Sequence, residues 1–288
     1  MLWNKANPSK NVNDLRKDKD VRSPTGKILA SGLIASLLAA SAAYWAGIEK
    51  TLGPEVAAAG KAQEGAVLEH LLSDDAHRLF VESVLGSSEE VWTGLLAEQG
   101  KTYAPPTLVL FDEQINTGCG PQRSDQNGLL YCPADQQIYI DLKTLEEVAA
   151  QSSTVSDFAQ AYVIAHEISH HIQNELGVLT RFEEAEVKGE KLTGANGLSV
   201  RLELQADCLA GVWARHAQER FQWLEAGDIN EALMAASMFG DDYLMREANR
   251  DVTPEKFTHG TSEQRIKWFN TGFKEPHGVC TTFDGAPL

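Results

Sequence analysis

The chain is short of positive charge. Only 25 Lys and Arg stand against 41 Asp and Glu in 288 residues, a formal net charge of −16. Proteins that track nucleic acid neutralise phosphates with a basic face, so a broad nucleic-acid surface is excluded and no nucleic-acid partner is expected. Cysteine is scarce too: Cys119, Cys132, Cys208 and Cys280 are the only four, and none stands in a CxxC pair, the spacing a four-thiolate zinc site usually needs. No repeat period is evident after residue 48, and no Gly/Ser/Pro-rich linker divides that part. Disorder throughout is excluded by a hydrophobic content of 43%, which is ample for a packed core.

One stretch lacks charge altogether. Residues 28–48, ILASGLIASLLAASAAYWAGI, are 21 in number, enough to span a hydrocarbon core of ~30 Å at ~1.5 Å per helical residue. Residues 1–27 before it hold seven Lys/Arg and three Asp, a net of +4, which leaves −20 for everything else. The pattern predicts a cytoplasmic leader (1–27), one transmembrane helix (28–48), a tether (49–65) and an exported domain (66–288), with the lipid bilayer as a partner. Tyr44 and Trp45 fit an interfacial aromatic belt. Gly32, Ser36 and Ala40 share one face and can support pairing of two spans as a homodimer. A signal peptide cleaved near Ser41-Ala42-Ala43 and a buried core helix are the competing readings of the same stretch.

All four cysteines lie beyond that stretch, where an oxidising compartment would let them pair. Three connectivities are open. Cys119–Cys132 is favoured because the intervening Gly, Pro and Asn read as a loop between strands, and Cys208–Cys280 would then tie the C-terminal tail to a helix. Helical periodicity covers 67–85 and 91–96, the second opened by a capping box of Ser87 with Glu90. His70 and His77 in this region read as surface histidines. Strands are predicted at 107–111 and 136–142, and helices at 144–151, 156–176, 198–225, 228–248 and 261–270. The fold class is therefore helix-rich α+β with a small β-sheet.

Within the helix at 156–176, which Ser156 can cap and Gly177 can end, lies His166-Glu167-Ile168-Ser169-His170. Histidines four apart project from one helical face, at a separation suited to one Zn²⁺. Glu167 lies ~100° round from His166, beside the metal rather than on it, where a general base must stand. Chance would place HExxH in such a composition only about 0.02 times, so the motif is specific. His171 points away from the shared face and suits a hydrogen bond within the fold. Downstream, Glu203 and Asp207 form an ExxxD pair on another amphipathic helix. Glu203 can complete a site of two histidines and a carboxylate, and Asp207 can accept a hydrogen bond from a ligand histidine.

HExxH followed by ExxxD resembles the gluzincin branch of the zinc metalloproteases. More narrowly, the TGCGPQ loop (117–122), YCPADQQIYID (131–141), AHEISHHIQ, ELQADCLAG and HGTSEQR (259–265), behind an N-terminal span, are similar to the YpfJ-like family of bacterial membrane-anchored neutral zinc metallopeptidases. The resemblance implies a zincin-like metalloprotease domain, a Zn²⁺ cofactor and a peptide or protein substrate. It also implies a bacterial inner-membrane location with the domain facing the periplasm, or the extracellular side. Related gluzincins place a histidine, and sometimes an arginine, late in the chain to stabilise the oxyanion. His259 and Arg265 are the candidates here, although His259 is followed by Gly260 where some relatives have proline. Otherwise Thr261 and Ser262 cap a helix and Arg265 pairs with a carboxylate.

The expected activity is peptide-bond hydrolysis by a zinc-activated water, with Glu167 as general base and His259 as a catalytic donor. The strand at 137–141 is a candidate edge for an extended peptide. Two other readings stay open: a zinc-stabilised membrane-tethered scaffold without hydrolytic activity, and an amidase acting on cell-wall peptides.

Overall fold

In a computed structural model of the chain, residues 1–16, 76–151, 157–275, 280–284 and 288 are described. The apolar stretch 28–48 with its small-residue face, the tether, His70 and Ser156 lie outside them. Among the described residues no helix is long and apolar enough to cross a membrane. The chain divides into two units, Met1–Leu15 with Phe80–Leu288, and Arg16–Leu79. The first carries everything that follows.

Its elements run β1 (Val12–Asp14), α1 (Ala76–Glu98), β2 (Thr107–Leu110), β3 (Gln114–Thr117), β4 (Gly120–Arg123), α2 (Ser124–Asn127), β5 (Leu129–Cys132), β6 (Gln137–Ile140), α3 (Leu142–Gln151), α4 (Asp157–Glu175), α5 (Val178–Val187), α6 (Leu198–Phe221), α7 (Asp228–Met238), α8 (Asp241–Glu247) and α9 (Ser262–Lys274). Four strands form one sheet in the order β1-β2-β6-β5, and β3 and β4 form a separate hairpin. β1, β2 and β6 are parallel, while β5 runs antiparallel to β6.

Alternation of apolar side chains explains how the sheet sits. Leu108, Leu110, Ile138 and Ile140 are fully buried and face the helical core, with Leu108 opposite Ile138 and Leu110 opposite Ile140. Val109, Phe111, Tyr139 and Cys132 form a smaller cluster on the other face. Cys132 is bonded to Cys119, which tethers the β3–β4 turn to the sheet. The second disulfide joins Cys208 of α6 to Cys280.

Helix packing is closest where glycines meet a neighbouring backbone. A Cβ on Gly211 of α6 would run into Phe269 O of α9, and one on Gly272 of α9 would run into Cys208 O of α6. Only the missing side chains let these two helices approach so far. The approach matters because it delivers Arg265 to the carboxylate of Asp207.

Four expectations from sequence need revising. Residues 76–98 form one continuous helix, so Ser87 does not start a new one; its hydroxyl donates to Val84 O at 2.7 Å and accepts Trp213 Nε1–H at 3.1 Å. The predicted helix 228–248 is two, because Gly240 takes an extended conformation that separates α7 from α8. The strand at 137–140 is interior, flanked by β2 and β5, so β5 is the edge in its place. Finally, Met1–Leu15, assigned by charge to a leader, packs with the main unit and supplies β1.

Candidate metal centre and catalytic cleft

α4 is buried on almost every side, from Phe158 to Gln173, and Gly177 ends the segment in the left-handed region at φ 76°. That burial fixes the rotamers of the motif it carries. His166 is 6% exposed, and its ring stands edge-on to His170 with centroids 4.9 Å apart. Glu203 reaches in from α6: its Oε2 is 3.0 Å from His166 Nε2 and its Oε1 is 3.6 Å from His170 Nε2. One ligand atom from each of the three residues can be chosen so that all lie within 4.8 Å of one another.

The outer ring nitrogens are held as those of metal-binding histidines would be. His166 Nδ1 is 2.9 Å from Asp207 Oδ1, and His170 Nδ1 is 2.8 Å from Gln173 Oε1. Each acceptor holds the proton on Nδ1 and leaves the Nε2 lone pair facing the other donors, the tautomer a metal ligand needs. Two imidazoles and a carboxylate, with room for a fourth position, suit Zn²⁺. Gln173 is in turn fixed by donating Nε2–H to Leu202 O at 2.7 Å. It sits three residues past His170 on the same helical face, a spacing that could have marked it.

Electrostatics follow the same plan. Burial opposes charging of His166, but the carboxylates of Asp207 and Glu203 outweigh it and raise its pKa to about 9. His170 is also raised, since Glu203 outweighs burial. Burial would raise Glu203, yet the two imidazoles hold it well below the ordinary carboxylate range.

Asp207 is fully buried and held at about 2, because Arg265 and His166 outweigh its desolvation. Arg265 Nε donates to Asp207 Oδ2 at 2.8 Å and Nη2 to Oδ1 at 2.9 Å. Its Nη1 donates to Phe239 O at 3.1 Å, and Tyr162 OH donates to Asp207 Oδ1 at 2.5 Å. Arg265 thus pairs with a carboxylate behind the ligand histidine, the second of the roles open to it from sequence. Sequence reasoning missed Tyr162; it lies one helical turn before His166, among apolar residues that give no hint of a polar task.

His171 points away from the three donors, with Nε2 2.6 Å from Ala104 O and Nδ1 3.1 Å from Tyr131 OH. Because Ala104 can only accept, Nε2 carries the proton and Tyr131 donates to Nδ1; burial lowers the pKa of this imidazole. The contact braces β5 against α4. A cleft of about 540 Å³ opens between them, lined by Leu129, Leu130 and Tyr131 on one wall, by Glu167 and the three donor residues on its floor, and by His259.

His259 is held on the rim by its loop. The backbone N–H groups of Thr258, His259 and Gly260 all donate to Asp241 Oδ2, at 2.8, 2.7 and 2.9 Å. Ser262 N–H donates to Asp242 Oδ1 at 2.7 Å, and Thr261 forms a capping box with Gln264 that starts α9. The imidazole is partly exposed, with Nδ1 3.7 Å from Asp241 Oδ1.

A helix-borne HExxH completed by a carboxylate from a second helix defines a zinc-dependent metallopeptidase site. The chain belongs to the family described as "Putative neutral zinc metallopeptidase", whose pattern matches residues 1–283; its members are hydrolases of peptide bonds and their cofactor is Zn²⁺. It is similar to "Uncharacterized protein YpfJ" of Escherichia coli K12, with 37% identity over 295 aligned positions that cover 98% of this chain and 99% of the relative. "Uncharacterized protein Mb2605" of Mycobacterium bovis and "Uncharacterized protein Rv2575" of Mycobacterium tuberculosis are each 41% identical over 214 positions, covering 70% of this chain and 69% of the relative. No solved structure matches the chain.

Proposed function

We propose that the protein is a membrane-associated peptidase in which His166, His170 and Glu203 hold Zn²⁺ and Glu167 is the general base. The observation that carries this reading is the paired orientation of His166 and His170, each with Nδ1 on an acceptor and Nε2 turned to Glu203. Bound Zn²⁺ supplies Lewis acidity, lowering the pKa of water toward ~7 and polarising a carbonyl oxygen.

The chain's own residues do the rest. Glu167 takes the proton of the attacking water and returns it to the leaving amine, so one carboxylate serves both halves of the reaction. His259, fixed by the Asp241 loop, donates to the oxygen that becomes negative as the carbonyl carbon turns tetrahedral. Asp207 orients His166 and is itself held by Arg265 and Tyr162. The edge strand β5 lies along the cleft and offers its open side to an extended peptide, which would add as another strand. Residues 28–48 supply the membrane association, and the two disulfides suit an oxidising compartment.

The decisive experiment is peptide-library mass spectrometry on the zinc-loaded full chain beside Glu167→Gln. The variant should keep one equivalent of zinc and lose about 10²–10⁴-fold in turnover. A library left uncut by the wild type, or cut equally by both, would sink the reading of Glu167 as the base.

A further inference from the structure

The first fifteen residues are bonded to the catalytic unit along their whole length. Val12, Asn13 and Asp14 pair in parallel with Leu108, Val109 and Leu110, with Leu108 N–H donating to Asn11 O at 2.9 Å and Leu15 N–H to Leu110 O at 2.8 Å. Earlier in the chain, Ser9 N–H donates to Glu82 O at 2.8 Å, Ser9 Oγ to Glu89 Oε1 at 2.6 Å, and Leu2 N–H to Trp223 O at 2.7 Å. Trp3 meets Phe80 edge to face at 5.9 Å.

α1 is shaped for this segment. A Cβ on Gly86 would collide with Asn7 O, so the absence of a side chain there is what lets the segment around Asn7 lie against the helix. The family's pattern also begins at residue 1, with β1 inside it.

These contacts bear on topology. A ladder hydrogen bond spans ~2.9 Å, whereas a bilayer's hydrocarbon core is ~30 Å thick, so strands on opposite sides of a membrane cannot pair. A single crossing between residues 16 and 79 would separate β1 from β2. A second crossing has no apolar segment to make it, because residues 49–79 carry charges at Glu49, Lys50, Glu55, Lys61, Glu64, Glu69, Asp74, Asp75 and Arg78.

We propose that residues 1–15 and 80–288 lie on the same side of the membrane, so that the chain between them makes no single net crossing. This rests on the membrane association proposed above and replaces a single pass with a cytoplasmic N-terminus. The +4 charge of residues 1–27 then stops reporting orientation, since the positive-inside bias concerns segments that span. Its chemistry instead suits attraction to anionic headgroups. The disulfides place the shared side where thiols oxidise.

The test uses the full chain in bacterial cells, with Lys10→Cys or Lys256→Cys introduced singly at exposed positions. Carbonate-washed membranes establish association, and a membrane-impermeant maleimide is applied before and after permeabilisation. Both thiols are expected to label in the same step, whichever step that is. Labelling of one in intact cells and of the other only after permeabilisation would overturn the inference. Protein found in the soluble fraction would instead overturn the membrane association on which it rests. Should either substitution prevent folding, Asn4→Cys and Glu263→Cys, also exposed, repeat the pair.

Discussion

Replacing Arg265 by leucine isolates the support behind the metal ligands. Asp207 is fully buried, and three cationic or hydroxyl groups satisfy it: Arg265, His166 and Tyr162. Arg265→Leu leaves the carboxylate with His166 and Tyr162 as its remaining partners and removes the bidentate guanidinium. With charge centres roughly 4 Å apart and an effective dielectric of about 20, the lost attraction is about 4 kcal/mol. That agrees with the ~3–5 kcal/mol typical of removing one partner from a buried ion pair. Desolvation does not offset it, because the guanidinium that leaves is the partner that made burial of the carboxylate tolerable.

The assay is urea unfolding of the metal-free protein, followed by zinc competition against a chromophoric chelator. Stability should fall by about 3–5 kcal/mol, and zinc affinity by about 10–100-fold, the usual consequence of disturbing a group that orients a ligand histidine. Arg265→Lys should fall between, since an ammonium cannot hold both carboxylate oxygens in a fixed fork. A loss under about 1 kcal/mol together with unchanged zinc affinity would refute the reasoning, and would mean that the Asp207 site is far wetter than its burial indicates.

Three further outcomes are expected. Gln173→Ala frees His170 to choose its tautomer and should weaken zinc by about 10–100-fold, measured by the same competition; equal affinity would remove Gln173 from the site. Zinc uptake near pH 7 should release about one proton or more, because His166 is protonated below about 9 without metal and must be neutral to bind it; calorimetry in buffers of different ionisation enthalpy reads the number, and no buffer dependence would contradict the raised pKa. Asp241 is held below the ordinary carboxylate range, since His259 and three backbone N–H groups outweigh its burial. A depressed folded-state pKa contributes stability that is complete above ~4 and lost as pH falls through the folded value. Unfolding of wild type between about pH 5 and 2 should therefore lose more stability than unfolding of Asp241→Asn, and parallel curves would dismiss the loop anchor.

The donor set was legible from sequence because helical periodicity converts spacing into direction. His166 and His170 share a face by arithmetic, and the ExxxD pair falls one turn apart on α6. The Cys119–Cys132 pairing was legible too, although the residues between the two form β4, α2 and β5 where a loop was expected. What stayed hidden was set by tertiary partners. β1 is only three residues long and two of them, Asn13 and Asp14, have low strand propensity, so it takes the edge of β2 to make them a strand. Gln173, Tyr162 and Asp241 are ordinary residues until a ligand ring, a buried carboxylate or a turn of free N–H groups is brought to them. The edge strand was misjudged because QIYI has the stronger alternation, yet alternation reports burial and β6 is buried by having neighbours on both sides.

Stability and zinc binding are joined in one helix. α6 supplies Glu203 to the metal, Asp207 to the ligand histidine, Cys208 to a disulfide and Gly211 to the close contact with α9. A change at Gly211 or Gly272 pushes α9 outward, withdraws Arg265 from Asp207 and so reaches His166 without touching a ligand. Zinc acts through the same connection in the opposite direction: by binding the folded state alone it adds RT ln(1 + [Zn]/Kd), about 4 kcal/mol at a thousandfold excess over Kd. Gly272→Ala should therefore lose more stability with zinc present than without it, because the variant forfeits part of the zinc term as well as the packing. Equal losses under the two conditions would show that the packing of α9 and the geometry of the donors are independent.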